Sequence, residues 1–349
     1  MRRSKETTPP IASTRRTTRL LATATAWVLL AAVFGSTLVM AENAAAEKGV
    51  AEKGVAEKPA AIGAVHRFTH RAPAVGRTAE QDATFTLQLK ATTVQGGTTV
   101  DEVESKLTRR QTRSTTVLSA DDGRVTKVRV KFREAEQEVS GERRGGESIP
   151  AARADQAVAG KTYIVARAKP GDALTIADEQ GKEPPEEEHR LVASSMDAVG
   201  RANVLGTFLD KRTVRVGQTV EMPRDAASEM LGFDKAVGEV AKFEMTLARV
   251  ANRGGTLCGE FETRIEIQSP DAAGQSTRFR GRMIVEVGTC RSVEADFAGP
   301  VSFVENHGTA ATGFQVLSVG ALRVRVTSTS PTADRTAAKP AERGSRTPE

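Results

Sequence analysis

The sequence predicts an α+β fold, mainly antiparallel β, in which a curved sheet of half-barrel type packs over a few helices. Three observations predict it. Apolar side chains recur two apart over long stretches, Asp-Gly and Gly-Gly pairs punctuate those stretches, and helix-starting signals are confined to the middle of the chain.

The folded part is expected over residues 63–328, between two segments that cannot build a core. The first 41 residues read as a secretory leader: a basic stretch ending at Arg19, an apolar run from Leu20 to about Val39, and small residues before a cut between Ala41 and Glu42. The same run could instead stay in the bilayer as an inner-membrane anchor. Thr23, Thr25, Gly35 and Ser36 dilute it, which favours cleavage and a periplasmic or extracellular protein. Residues 42–62 carry the AEKGV repeat, a charge-balanced spacer without an apolar face, and residues 329–349 are equally poor in large apolar groups.

Within the folded part, Phe85, Leu87 and Leu89 alternate with polar residues and predict a strand near 84–91. Val103 to Leu118, rich in Thr, Ser and Arg, leads to the hairpin signal Asp121-Asp122-Gly123, and Val125, Val128 and Val130 open the return strand. Two short strands are expected from Tyr163 to Ile176. Pro184-Pro185 followed by Glu186, Glu187 and Glu188 starts a helix running to about Val199, because acids suit the positive end of the helix dipole. A second helix is expected from Arg224 to Leu231, with Gly232 as its terminator.

A second strand set begins after residue 241. Phe243, Met245 and Leu247 alternate, and Leu257, Phe261, Ile265 and Ile267 share a parity opposite Glu260, Glu262, Arg264 and Glu266. Ser269 to Gly274 turns the chain, and Phe279, Met283, Val285 and Val287 return. Phe297 to Val304 and Ala321 to Thr327 supply closing strands. The sets at about 63–160 and 241–328 each contain an opening strand, a Gly-Gly turn (Gly96-Gly97, Gly254-Gly255) and a long hairpin, so they read as a duplication around a helical middle.

The segment Phe208-Leu209-Asp210-Lys211-Arg212-Thr213-Val214-Arg215-Val216-Gly217-Gln218-Thr219-Val220 resembles the LPDKPVKVGDSW stretch of a family of uncharacterised exported bacterial proteins, with Leu209 for Pro and Val220 for Trp. The resemblance implies a duplicated half-barrel over helices, similar to periplasmic lipoprotein carriers, and hence a lipid or lipoprotein as partner. The family's own activity is unknown, so the resemblance bears on fold more than on function.

Composition narrows the function. The net charge is +6, but residues 1–41 hold +5 of it, so the mature chain lacks the positive field that draws a protein to nucleic acid. Arg109-Arg110, Arg113 and Arg143-Arg144 lie among acids and read as solvated strand faces. Trp27 falls in the leader and Tyr163 is the one tyrosine, a poor supply of rings for sugar stacking. His66 and His70 are four apart but outside an HExxH pattern, and read with His189 and His307 as solvated side chains rather than metal ligands. Val316-Leu317-Ser318-Val319-Gly320 lacks the first glycine of a nucleophile elbow, and GERRGG at 141–146 is not a phosphate loop. No catalytic residue, metal or cofactor is expected, and the oligomeric state is left open.

Two site expectations remain. Cys258 and Cys290 share the charged parity of the second hairpin near its open end, which predicts a disulfide closing a loop of about 33 residues, worth roughly 3–4 kcal/mol. Phe85, Leu87, Leu89, Phe243, Met245, Phe261, Ile265, Phe279 and Met283 form the apolar face of the sheet. They are either core against the helices or the lining of a concave cavity for acyl chains. The alternative to ligand binding is a structural or partner-docking envelope protein.

Overall fold

The computed structural model describes residues 63–71, 73–231, 239–268, 276–308 and 313–329. The expected leader with its cut between Ala41 and Glu42, the spacer, Gly232, the turn at 269–274 and the tail beyond residue 329 lie outside the described residues.

The chain opens with β1 (Val65–Arg67), then runs through β2 (Thr78–Gln95), β3 (Thr98–Asp121), β4 (Arg124–Arg143), β5 (Glu147–Asp155), β6 (Thr162–Ala166) and β7 (Thr175–Asp178). A middle section follows: α1 (Glu186–Ser195), α2 (Val204–Leu209), β8 (Thr213–Arg215), β9 (Thr219–Met222) and α3 (Arg224–Leu231). The last part is β10 (Glu239–Arg253), β11 (Thr256–Gln268), β12 (Ser276–Glu286), β13 (Ser292–His307) and β14 (Phe314–Thr329). The expected fold class is the one observed: among the described residues, a mainly antiparallel, open sheet over three helices.

The turn chemistry sets the hairpins. Gly96-Gly97, Asp122-Gly123 and Gly254-Gly255 all hold positive φ (57° and 78°, 48° and 74°, 59° and 87°), the conformation that lets a two-residue turn follow the strand twist. They join β2 to β3, β3 to β4 and β10 to β11 in register, with Gln95 opposite Thr98, Asp121 opposite Arg124 and Arg253 opposite Thr256. The β11–β12 register also follows the parity: Phe261 faces Met283, Ile265 faces Phe279, and Glu262 and Glu266 face Arg282 and Arg278.

Twelve strands form the main sheet, in the order β7-β6-β4-β3-β2-β14-β13-β12-β11-β10-β9, with β5 also on β4. Two meanders, β2 to β7 and β9 to β14, therefore meet where the first long strand pairs with the last. That seam runs from Glu80–Thr329 to Val94–Gln315 without a register break.

The sheet carries two cores, the larger of which extends across the seam. Val117, Val128, Val130, Phe132, Tyr163 and Val165 pack with Val192 and Met196 of and just after α1. Phe85, Leu87, Phe243, Met245, Phe261, Ile265, Phe279 and Met283 pack with Leu205, Phe208 and Leu209 of α2, Met230 and Leu231 of α3, and Phe68 and Val214 beside them. Helix α2 has no counterpart in the sequence expectation. Six residues are too few to show a helical period, and its cap is one side chain, Asn203, accepting from the Gly206 amide at 2.9 Å. Helix α1 stops at Ser195 rather than near Val199, and Met196 leaves the helical region at ψ 16°.

Gly320 tests the seam. A methyl group there would overlap the Gln88 carbonyl oxygen of the neighbouring strand. Gly320→Ala is expected to destabilise the fold by about 1–3 kcal/mol, read as a lowered midpoint in denaturant without a changed slope.

Candidate functional site

Side chains two apart on a strand share a face. In β3, Leu107 belongs to one core and Val117 to the other, so Arg109, Gln111, Arg113 and Thr115 between them point to the same concave side. The solvated face expected for these arginines holds for Arg110, which is exposed, and fails for its neighbours: Arg113 is 2% exposed and Arg109 is half-buried. Local acids suggested solvent, but α1 lies over this stretch and excludes it.

Arg113 fixes that helix. Its Nε donates to Gln81 Oε1 at 2.6 Å and its Nη1 to the Ser195 carbonyl at 2.8 Å. Ser195 ends α1, where carbonyls lack helical partners and the dipole is negative, and α1 has no basic residue in its last turn. The cap comes from β3, 82 positions away. Burial pushes Arg113 down to about 9, which leaves it charged at neutral pH. The other end of α1 is held by Glu188, which accepts from Lys161 Nζ at 2.7 Å and Tyr163 Oη at 2.6 Å. Those two hydrogen bonds, the lysine first, hold the Glu188 carboxyl below its ordinary range, while burial raises the Tyr163 phenol well above its own.

Between α1 and the seam lies a cleft. Its walls are Ala83, Thr84 and Phe85 of β2, Arg109 and Gln111 of β3, Val324 and Val326 of β14, and Leu191, Ser194 and Ser195 of α1. The cavity it leaves is small, about 40 Å³. Arg109 Nε and Nη2 both donate to Gln137 Oε1, at 2.9 and 2.7 Å, and Gln111 Nε2 donates to Gln156 Oε1 at 2.7 Å. Burial first, then the charge of Arg190 on α1, lower the Arg109 guanidinium to about 10.

Of the expected apolar lining, only Phe85 reaches this cleft. Leu87, Phe243, Met245, Phe261, Ile265, Phe279 and Met283 are at most 4% exposed and belong to the core closed by α2 and α3. Leu89 is partly buried against that core. The helices fill the space an acyl chain would have needed there.

The cysteines depart from expectation. Both are free and buried. Cys258 stands opposite Ala251 and Glu286 in the ladder, not opposite Cys290. Strand β12 ends at Glu286, and the Cys290 amide already bonds back to the Glu286 carbonyl at 2.9 Å with φ 54°. Parity was carried past the end of the strand into a turn, where it no longer sets direction. Burial, then nearby carboxylates (Glu286 and Asp210), push the two thiols up to about 11 and about 12.

The histidines scatter. His66 pairs with Val214 in the small β1–β8 sheet, and the His70 amide donates to Asp210 Oδ1 at 2.9 Å while its ring covers Gly206, where a methyl group would collide with it. Both rings bury Nε2, so neither is the solvated side chain expected. His307 stacks on Phe314 at 4.9 Å, 3.1 Å from Glu305. Among the described residues no group of His, Cys, Asp and Glu could hold a metal, and no helix is long and apolar enough to cross a membrane.

Two outcomes are expected. Native protein at pH 8 should resist thiol alkylation, and unfolding should release two reactive thiols. Glu188→Gln should cost about 2 kcal/mol at pH 7. Because the folded carboxyl titrates below the unfolded one (near 4.3), its contribution is complete above that value and is lost as pH falls through the folded one. The gap between wild type and variant should therefore close in acid unfolding curves.

Comparison with known proteins adds little. No family model and no curated protein matches the chain. Among solved structures, it is similar to Ail, the attachment invasion locus protein of Yersinia pestis, solved with the heparin analogue sucrose octasulfate, at 6% identity and a TM-score of 0.12 over 70% of this chain and 98% of Ail. It is also similar to the InvG secretin β-barrel of the Salmonella injectisome, at 9% identity and a TM-score of 0.14 over 76% of this chain and 66% of that one. Scores this low support no inference about fold or function, and the reading of the site rests on its own geometry.

Proposed function

We propose that the chain is an exported, non-enzymatic envelope protein that holds a hydrophobic or lipid-like ligand in the cleft on its concave face. The observation that carries this reading is the cleft itself. The concave surface is packed shut against α2 and α3, whereas against α1 a narrow cleft of about 40 Å³ remains, walled by Ala83, Phe85, Leu191, Val324 and Val326 beside a few polar groups. A mostly apolar lining with a few polar groups is the usual make-up of a small-molecule site, and a ligand would enter this one by parting α1 from the seam. The leader-like first 41 residues support export, and the resemblance to relatives of lipoprotein carriers supports a lipid or lipoprotein partner.

A second reading, docking to an envelope partner, is favoured by a different surface. Val100, Val304, Phe314 and Val319, in the β2–β3 and β13–β14 hairpins, are 41–53% exposed. Exposed apolar groups of that kind can mark a contact surface.

A fluorescent fatty acid should bind the purified protein and be displaced by unlabelled fatty acid at concentrations on the order of tens of micromolar. Leu191→Trp, which fills the cleft from α1, should lower that affinity at least about ten-fold with the circular dichroism unchanged. Absence of binding, or binding untouched by the variant, would count against the cleft.

A further inference from the structure

The outer face of the second meander carries a groove of about 380 Å³, far larger than the cleft on the concave side. Register builds it. In one row across the strands Glu244 of β10 faces Arg264 of β11, which faces Arg280 of β12. In the next row Thr219 of β9 faces Thr246, which faces Glu262. The ladder pair Thr263 and Gly281, between those rows, forms the floor. Every other arginine along β10 to β14 has a carboxylate between 2.5 and 3.9 Å away: Arg249 and Arg253 at Glu260, Arg278 at Glu266, Arg282 and Arg325 at Glu294, and Arg323 at Asp296. Arg264 and Arg280 face each other and pair with no carboxylate among the described residues. Glu244 is taken by Lys242 at 2.8 Å. Arg282, opposite Glu262, is drawn to Glu260 and Glu294 instead, so Glu262 is left over beside the two arginines.

We propose that this groove binds a phosphate-bearing zwitterion of the phosphoethanolamine type, its phosphate between Arg264 and Arg280 and its ammonium group on Glu262. The site is separate from the concave cleft, and neither reading depends on the other. Like charges directly opposite on neighbouring strands destabilise a sheet, and an anion set between them removes that cost. One guanidinium fork already satisfies both oxygens of a carboxylate. Two forks about 5 Å apart suit the tetrahedral oxygens of a phosphate, which point to both strands at once. Glu262 stands two residues along β11 from Arg264, about 7 Å, so the ligand's cation has to lie next to its anion rather than at the end of a long chain. The Thr219 and Thr246 hydroxyls, bonded to each other at 2.8 Å, line the same side and offer acceptor oxygens for further N–H groups of the ammonium. No aromatic ring lines the groove, so a quaternary ammonium has neither N–H donors to give nor a π face to sit on. A bare phosphate leaves Glu262 unmet.

The test titrates the purified protein by calorimetry at low ionic strength with O-phosphoethanolamine, phosphocholine, inorganic phosphate and ethanolamine. O-phosphoethanolamine is expected to bind with a Kd of about 1 mM or below, at least about ten-fold more tightly than the other three. Arg264→Gln and Arg280→Gln, both at exposed positions, should each weaken it about ten-fold with the circular dichroism unchanged. Arg280→Lys should keep part of the binding, since the charge stays and the fork is lost. Glu262→Gln should bring O-phosphoethanolamine down to the level of phosphate. Co-sedimentation with phosphatidylcholine vesicles only when they carry phosphatidylethanolamine, lost in Arg264→Gln, identifies a lipid headgroup as the source; binding of the soluble probe alone identifies a free phosphoester. Phosphate or phosphocholine binding as tightly as O-phosphoethanolamine, affinity untouched by the arginine variants, or no binding in solution or on vesicles would overturn the site. None of these results bears on fatty-acid binding in the concave cleft, which Leu191→Trp reads separately.

Discussion

The pairing of β2 with β14 is the constraint on which the rest depends. Each meander alone would end in a long strand with a row of unpaired backbone groups, and joining them removes both edges at once. The join brings residues some 240 positions apart into register, so its loop-closure entropy must be met by contacts made along its whole length. Gly320, sitting against the Gln88 carbonyl, shows how closely the two backbones approach there. The cleft exists because of this seam: Ala83 and Phe85 come from the first meander, Val324 and Val326 from the last strand of the second.

A second dependence runs through Arg113. Buried arginine is expensive unless its donors are satisfied, and here they meet the Gln81 amide oxygen and the last carbonyl of α1. The contact stops the helix at Ser195 and holds it over the seam. With Glu188 fastened to Lys161 and Tyr163 at its other end, α1 is tied at two points to one half of the sheet. The wall of the cleft that it forms is thus placed by polar contacts at both ends together with the apolar packing of Val192 and Met196, whereas α2 and α3 sit in the larger apolar core.

The outer face of the second meander shows why so many charges tolerate one sheet. Glu260 is approached by Arg249, Arg253 and Arg282, and Glu294 by Arg253, Arg282 and Arg325. The arginines are largely exposed and each pair contributes little alone, but cross-strand alternation of sign keeps like charges mostly apart. Arg264 opposite Arg280 and Glu244 opposite Glu221 are exceptions.

Local chemistry made much of the fold legible in the sequence. Alternation at Phe243, Met245 and Leu247, and at Phe261 and Ile265, named the buried face, because a strand cannot hide residues of one parity without exposing the other. The Gly-Gly and Asp-Gly turns and the helix Arg224 to Leu231 were equally readable, since a turn or a cap depends on a few adjacent residues. What covers a face is a different matter, because it depends on segments far away in the chain. Sequence could not say that α2 and α3 fill the concave side over Met245 and Met283, that α1 buries Arg109 and Arg113, or that the strand before Cys290 stops short and sends it away from Cys258. Periodicity fixes which side chains share a face, and only long-range packing decides whether that face meets solvent, a helix or an open cleft.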